Sequence, residues 1–156
     1  LQVRELQKEN SDIVGWLEIE GTNINYPVLQ GDDNSYYMTH NYKRETTSSG
    51  SLFLDKDYDW NIPSSNLLIY GHNNLDGLMF QELLKYEDKS EKNVIRYYYF
   101  INAEDEEEYD EFVDSAKDAS LYDTGKTAEY GDQLMTLSTC AYHTEDGRFA
   151  VVAKKK

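Results

Sequence analysis

The sequence predicts a mostly β domain with a few helices added to it. Short runs rich in Val, Ile, Leu, Tyr and Phe recur along the chain, and turn-forming residues separate most of them. Only a few stretches carry apolar residues at helical spacing instead. With 156 residues, 39% of them hydrophobic, the chain is long enough to bury a core. We therefore expect one domain over 1–156, with a helical segment at 1–12 and a β barrel or sheet over 13–156.

The first half of the chain predicts its elements in order. "LQVRELQKENSD" has helical spacing and ends in the polar residues 10–12. "IVGWLEIEGTNINYPVLQGDDN" predicts two short strands around a turn at Gly21. "DDNSYYMTHNY" predicts a short helix capped by Asp32 or Asp33, and "SSGSLFLDKDYDW" predicts a strand that is entered through Gly50.

The second half predicts two more helices and four more strands. "NLLIY" is a short apolar strand, followed by the break "GHNN" and by "LMFQELLKY", which has helical spacing. "NVIRYYYF" has the composition of a strand. "AEDEEEYDEFVDSAKDASLY" predicts an acidic helix, and "DQLMTLSTCAY" and "RFAVVAK" predict the last two strands. The apolar stripe of the acidic helix consists of Tyr109, Phe112, Val113 and Ala116.

The charge of the chain argues against one class of partner. Its 15 Lys and Arg residues stand against 30 Asp and Glu residues, which gives a formal net charge of −15. Such a surface repels phosphate backbones, so we expect no nucleic acid partner. The same acidity suits cationic or amine-bearing partners.

The sequence contains no apolar run near the length of about 20 residues that a membrane-spanning helix needs. The chain also begins at Leu1 without a methionine. We therefore expect that an N-terminal membrane anchor has been removed.

Cys140 is the only cysteine, which rules out an internal disulfide and leaves two interpretations. A lone cysteine in a strand is usually inert packing. Alternation along the strand, however, places Cys140 on the face of Ser138 and Thr136, at the point where the apolar pattern ends and a polar loop begins. Strand ends that meet loops often carry chemistry, so Cys140 is also a candidate nucleophile.

A nucleophilic thiol needs a base or a cation nearby to raise its thiolate fraction. The chain has three histidines. His143 lies in a predicted turn and His40 at a surface or core edge, whereas His72 follows directly on the strand "NLLIY" after Gly71. A strand end is a good support for a catalytic imidazole, so His72 is the candidate base for Cys140.

Arg148 opens the last predicted strand, and of two possible registers we favour the one with a symmetric loop, because a two-residue turn would require "CAYHTE" to be all strand. If the preceding loop is symmetric about Thr144, Cys140 and Arg148 lie opposite each other. If Asp146-Gly147 forms a tight two-residue turn, Glu145 pairs with Arg148 instead. In the first case Arg148 could stabilise an oxyanion, and in the second it is more simply a surface residue paired with a carboxylate.

Together these residues resemble a known family. "LLIYGHN", then "TLSTC", then "GR" at the start of the final strand are similar to the sortases, the cysteine transpeptidases of Gram-positive cell surfaces. "NSDIVGWLEIEGTNINYPVLQ" and "DNSYYMTHNY" resemble class B sortases in particular. The resemblance covers nearly the whole chain.

The resemblance implies a closed sortase-type β-barrel of about eight strands, with an N-terminal helix and a helix before the cysteine strand. It implies Cys140 as nucleophile, His72 as general acid and base, and Arg148 as oxyanion and substrate clamp. It also implies that three residues line the substrate groove, and that no metal or organic cofactor is used. These groove residues are Asn34, Met38 and Ser138.

The implied substrate is a surface protein that bears an Asn-Pro-x-Thr-Asn-like sorting signal, which is cut after Thr. The implied acceptor is an amine of peptidoglycan or lipid II, and the implied location is the extracellular face of the membrane, held there by the missing anchor. Two alternatives stay open. One is a pilin-polymerising sortase, and the other is a catalytically silent peptide-binding domain of the same fold.

The sequence departs from the family pattern in two places. Some class B members carry an acid two positions after the cysteine, but this chain has Tyr142, so a triad through that acid is not available. The stretch "RYYYFINAEDEEEYDEF" is also short for the family, which predicts a truncated loop or missing residues near 100–103.

Overall fold

A computed structural model of the chain describes residues 2–62, 64–86, 103–140 and 147–155. Six strands, two α-helices and two 3-10 helices form the described part. In chain order they are α1 (Gln2–Leu6), β1 (Ile13–Glu18), β2 (Asn25–Leu29), the first 3-10 helix (Tyr36–Met38), β3 (Leu52–Leu54), β4 (Asn66–Tyr70), the second 3-10 helix (Gln81–Tyr86), α2 (Glu106–Asp118), β5 (Leu134–Cys140) and β6 (Arg148–Lys154).

The predicted mostly β class with helical additions is confirmed. The strand predicted for "NVIRYYYF", residues 93–100, lies outside the described residues. The short helix predicted after Asp33 is a 3-10 helix, and the Asp33 carboxylate accepts hydrogen bonds from the backbone N–H groups of Ser35 and Tyr36. Gly21 has a φ of 79°, as the predicted turn requires.

The six strands form one sheet in chain order, β1 to β6. The pairs β2–β3 and β4–β5 are parallel and the other three are antiparallel. Parallel neighbours need a crossover connection, and the one between β4 and β5 carries the second 3-10 helix and α2. Because of these directions, the start of β3, the ends of β4 and β5, and the start of β6 share one edge of the sheet.

The strand β3 is buried on both faces of the sheet, with residues that alternate between them. In β3, Leu52 and Leu54 pack into the largest core cluster, while Phe53 faces a second cluster on the other side. Val3 and Leu6 of α1 pack on that second cluster, so the N-terminal helix covers this face.

The start of the acidic helix α2 is fixed by its N-cap, and its orientation by its apolar stripe. Asp105 accepts a hydrogen bond from the Glu108 backbone N–H at 3.0 Å, and three glutamates in the first turn suit the positive end of the helix dipole. Tyr109 and Val113 are buried against Leu134, the first residue of β5. The helix is thereby fixed to the strand that ends at the cysteine.

The helices of the described ranges include none with the length and apolar character that a bilayer crossing requires.

Candidate active site

The three predicted catalytic residues lie at or just beyond the strand ends that share one edge of the sheet. Tyr70 at the end of β4 pairs in parallel with Ser138, and the Gly71 N–H continues the ladder to the Ser138 carbonyl at 3.1 Å. His72 follows two residues after Tyr70, and Cys140 two residues after Ser138. The two residues therefore come at or just beyond the ends of neighbouring parallel strands, although they lie 68 positions apart in the chain.

The third residue joins them from the other side. Cys140 pairs antiparallel with Arg148, which confirms the register that the sequence analysis favoured. The alternative pairing of Glu145 with Arg148 is wrong. Cys140 thus lies at the end of the strand between the one that His72 follows and the one that Arg148 opens.

The His72 ring is partly exposed and makes a close polar contact. Its Nε2 atom lies 2.6 Å from the backbone carbonyl oxygen of Met38. A carbonyl only accepts, so Nε2 carries the proton and donates it to this bond. The contact joins the end of β4 to the first 3-10 helix.

Two glycines allow the backbone to pack closely around His72. A Cβ on Gly71 would lie 2.5 Å from Leu52 Cδ2 and 2.7 Å from Phe80 Cδ2. A Cβ on Gly50 would lie 2.6 Å from the carbonyl oxygen of Met38. Each position leaves no room for a side chain, so each glycine brings neighbouring segments within contact distance of the site.

Asn34, predicted to line the substrate groove, is held at both ends of its amide. Its Nδ2 donates to Asp55 Oδ2 at 2.8 Å, and its Oδ1 accepts from the Lys56 backbone N–H at 2.8 Å. The Tyr70 hydroxyl donates to the same Asp55 oxygen at 2.8 Å. Asp55 thereby links Asn34 to the strand that carries His72.

The other two groove predictions fall at the same edge. Met38 is 39% exposed and lies beside His72 through its carbonyl. Ser138 is buried within β5, one pleat before Cys140, and its hydroxyl finds no hydrogen-bond partner among the described residues. A buried hydroxyl without a partner is costly, and a ligand that approaches this strand could satisfy it.

A partly buried hydrogen-bond network fixes the segment that precedes Met38. The Tyr37 hydroxyl donates to Asp12 Oδ2 at 2.6 Å and accepts from Asn10 Nδ2 at 2.9 Å. Arg44 Nη2 donates to both Asn10 Oδ1 and Asp12 Oδ2, at 3.0 and 3.1 Å. Burial raises the pKa of the Tyr37 phenol, so it remains a hydrogen-bond donor at neutral pH.

Comparison with known proteins identifies the class to which this fold and site belong. The sortase domain family matches residues 17–156 of the chain. The chain belongs to the sortase family, and its class is that of the sortase transpeptidases. The predicted family is thereby confirmed.

The individual similarities narrow the class to sortase B. The chain is 36% identical to sortase B of Listeria monocytogenes, over 98% of this chain and 73% of that protein. A crystal structure of sortase B from Bacillus anthracis in complex with AAEK1 is 35% identical with a TM-score of 0.85, over 98% of this chain and 83% of that one. A Staphylococcus aureus sortase B–substrate complex is 32% identical with a TM-score of 0.86, over 98% and 83%. These structures confirm the sortase-type fold.

The alignment also bears on the predicted shortening of the chain. It runs over 180 positions with the Listeria protein, whereas this chain has 156 residues, so that relative carries residues absent here. The place predicted for them, near 100–103, lies outside the described residues except for Ala103, and Tyr142 and His143 lie outside as well.

Sequence reasoning missed Asp55, Tyr70 and the Met38 carbonyl. Nothing in the local pattern of "LFLDKDYDW" or "NLLIY" marks the Asp55–Tyr70 bond, because its two residues lie on different strands. The one usable signal was Gly50 ahead of a strand, which indicates close backbone approach.

Proposed function

We propose that this sortase cuts an Asn-Pro-x-Thr-Asn-like sorting signal after Thr, through a thioacyl-enzyme on Cys140. It then transfers the protein to an amine of peptidoglycan or of lipid II. The observation that supports the proposal is the strand register, which pairs Cys140 with Arg148 and ends the neighbouring β4 ladder at Tyr70, two residues before His72.

In acylation, the Cys140 thiolate adds to the threonyl carbonyl carbon, and the carbonyl oxygen becomes an oxyanion. Arg148 stabilises that charge, since a guanidinium stays protonated at neutral pH. His72 gives a proton to the leaving amine as the C–N bond breaks. Asn34, Met38 and Ser138 line the groove that holds the signal.

In the second half-reaction, His72 takes a proton from the incoming amine as that nitrogen attacks the thioester. The new C–N bond forms, the C–S bond breaks, and the thiolate is restored. We place the reaction at the outer face of the membrane of a Gram-positive cell, where both substrates occur. An N-terminal anchor would hold the enzyme there.

The test combines three variants with a panel of candidate pentapeptides and amines. Cys140→Ala and His72→Gln should each reduce both cleavage and transfer to background, because the nucleophile or the proton carrier is gone. His40→Gln is the matched control: this ring bonds the Tyr36 carbonyl and stacks on the Tyr36 ring, so activity should persist.

Each outcome has a clear meaning. Full activity of Cys140→Ala would reject the proposed nucleophile. Mass spectrometry of products formed with triglycine, diaminopimelate or a pilin lysine identifies the acceptor, and a preference for the pilin lysine would point to a pilin polymerase. A thiol-directed methanethiosulfonate probe that leaves native Cys140 unmodified would favour a silent binding domain.

A further inference from the structure

The protonation pattern of His72 follows from its contact with Met38. A neutral imidazole has one N–H donor and one acceptor nitrogen, and a hydrogen bond at one nitrogen decides which is which. Nε2 lies 2.6 Å from the Met38 carbonyl oxygen, which can only accept. Nδ1 therefore holds the lone pair when the ring is neutral.

We propose that the Met38 carbonyl is a positioning group that fixes His72 as the Nε2–H tautomer, so that Nδ1 exchanges the catalytic proton. The inference deepens the proposed function and rests on it. In acylation, Nδ1 of the imidazolium gives its proton to the leaving amine. In the second half-reaction, Nδ1 takes a proton from the incoming amine. The hydrogen bond from Nε2–H to the Met38 carbonyl stays intact throughout.

The role is assigned to the peptide group, and it is separate from any contact of the Met38 side chain with the sorting signal. A backbone acceptor does this task without a carboxylate, which suits a chain that has Tyr142 where some class B relatives carry an acid. A hydrogen bond to the second imidazole nitrogen also orients the ring, as it does for metal-bound histidines.

The backbone of Gly50 packs closely against the Met38 carbonyl. Its φ is 58°, and a Cβ there would lie 2.6 Å from Met38 O and 2.7 Å from Tyr37 O. The next residue, Ser51, donates its backbone N–H to Tyr37 O at 2.9 Å. Gly50 also precedes β3, whose start lies at the edge where β4 ends, so the sheet itself brings the carbonyl to His72.

The other side of the segment is anchored by a separate set of bonds. Tyr37 is buried, and its hydroxyl bonds Asn10 and Asp12, which belong to the chain between α1 and β1. The Thr47 N–H donates to the Thr39 carbonyl at 2.9 Å. The Met38 peptide is thus flanked by fixed residues, as a positioning group must be.

The first test reads the tautomer directly. Nitrogen-15 NMR of the histidine rings in the intact protein, at a pH where the rings are neutral, distinguishes Nε2–H from Nδ1–H. The His72 signals are those that disappear in His72→Gln. We expect the Nε2–H form alone, and an Nδ1–H form or an averaged mixture would overturn the proposal.

The second test moves the carbonyl. Gly50→Ala places a methyl group against Met38 O, and Gly125→Ala is the control: its φ of 63° imposes the same strain, but its Cβ would meet nothing within 4 Å. We expect Gly50→Ala to mix the tautomers and to lower kcat by about 10²-fold with a smaller change in KM. Gly125→Ala should change neither.

The outcomes separate the proposal from the proposed function. A folded Gly50→Ala protein with the native tautomer would overturn the role of Gly50. A lower kcat with an unchanged tautomer would overturn the link between the His72 tautomer and the catalytic rate. If Gly50→Ala does not fold, the measurement on the native protein still decides. The NMR result does not depend on any sorting peptide, so failure of cleavage leaves it intact.

Discussion

Asp55 is the residue on which the polar surroundings of the site depend most. It is fully buried, and its two oxygens accept from Asn34 Nδ2, from the Tyr70 hydroxyl and from the Asp57 backbone N–H, at 2.8, 2.8 and 2.9 Å. All three partners are donors, so the position needs a group that only accepts. A carboxylate fits it and an amide does not.

Replacing Asp55 by Asn should therefore cost stability and activity together. One amide NH2 group would face a donor, and we expect the free energy of unfolding to fall by about 1–3 kcal/mol. Released from Asp55, Asn34 should also bind the sorting signal less well, which raises KM. Urea unfolding and peptide kinetics measure the two effects.

The control for Asp55 is Asp123→Asn in an exposed turn. Its side chain accepts only from the Gly125 N–H in the described contacts, and an asparagine oxygen can do the same. We expect unchanged stability there. If Asp55→Asn behaved like this control, the buried carboxylate would not organise the site.

At the scale of elements, Asp132 joins α2, β5 and β6 just before β5 begins. Its carbonyl accepts from the Tyr109 hydroxyl at 2.9 Å, and its carboxylate accepts from Lys154 Nζ at 2.8 Å and from the Glu129 N–H at 2.9 Å. The Lys154 bond, followed by the Glu129 N–H, lowers the pKa of this carboxyl below its ordinary value. Folding therefore favours its ionised form.

The lowered pKa of Asp132 predicts the direction of a pH effect. A carboxyl whose pKa is lower in the folded state adds stability above the unfolded pKa, near about 3.9, and that contribution disappears as the pH falls through the folded pKa. Asp132→Asn should therefore lower the melting temperature at neutral pH. The difference from the native protein should shrink towards the lowest pH at which both fold.

Asp114→Asn is the matched control, because it removes the same charge from an exposed position on α2. An Asp132→Asn loss of the same size at both pH values would show that the side chain acts through shape and not through ionisation.

At the scale of the whole molecule, the net charge of −15 creates a field that favours cationic partners. The proposed acceptor is an amine, which is protonated and positive in solution at neutral pH. Long-range attraction of this kind is screened by salt, since the Debye length falls from about 30 Å at 0.01 M to about 8 Å at 0.15 M.

We therefore expect kcat/KM for a cationic amine such as triglycine amide to fall when the salt rises over that range. Hydroxylamine, which is uncharged at neutral pH, is the control acceptor and should respond less. Equal salt dependence for the two acceptors would contradict steering by the molecular charge.

Much of this protein could be predicted from local pattern. Apolar runs and turn residues predicted the strands β4, β5 and β6. This was possible because apolar periodicity can be read from consecutive residues. The same reasoning identified His72 from its place after a strand. It favoured the pairing of Cys140 with Arg148 but could not establish it, because a loop sequence permits more than one register.

Residue order was enough to indicate the class of the protein and the three side chains proposed to act. The approach of His72 and Cys140 to one edge depended on the folded chain, since they lie 68 positions apart and only the parallel pairing of β4 with β5 brings the ends of their strands together. The bond from His72 to the Met38 carbonyl depended on it too, because a backbone carbonyl is present at every residue and has no sequence signature. Packing across the sheet edge, which no local pattern encodes, brings the Met38 carbonyl to the ring.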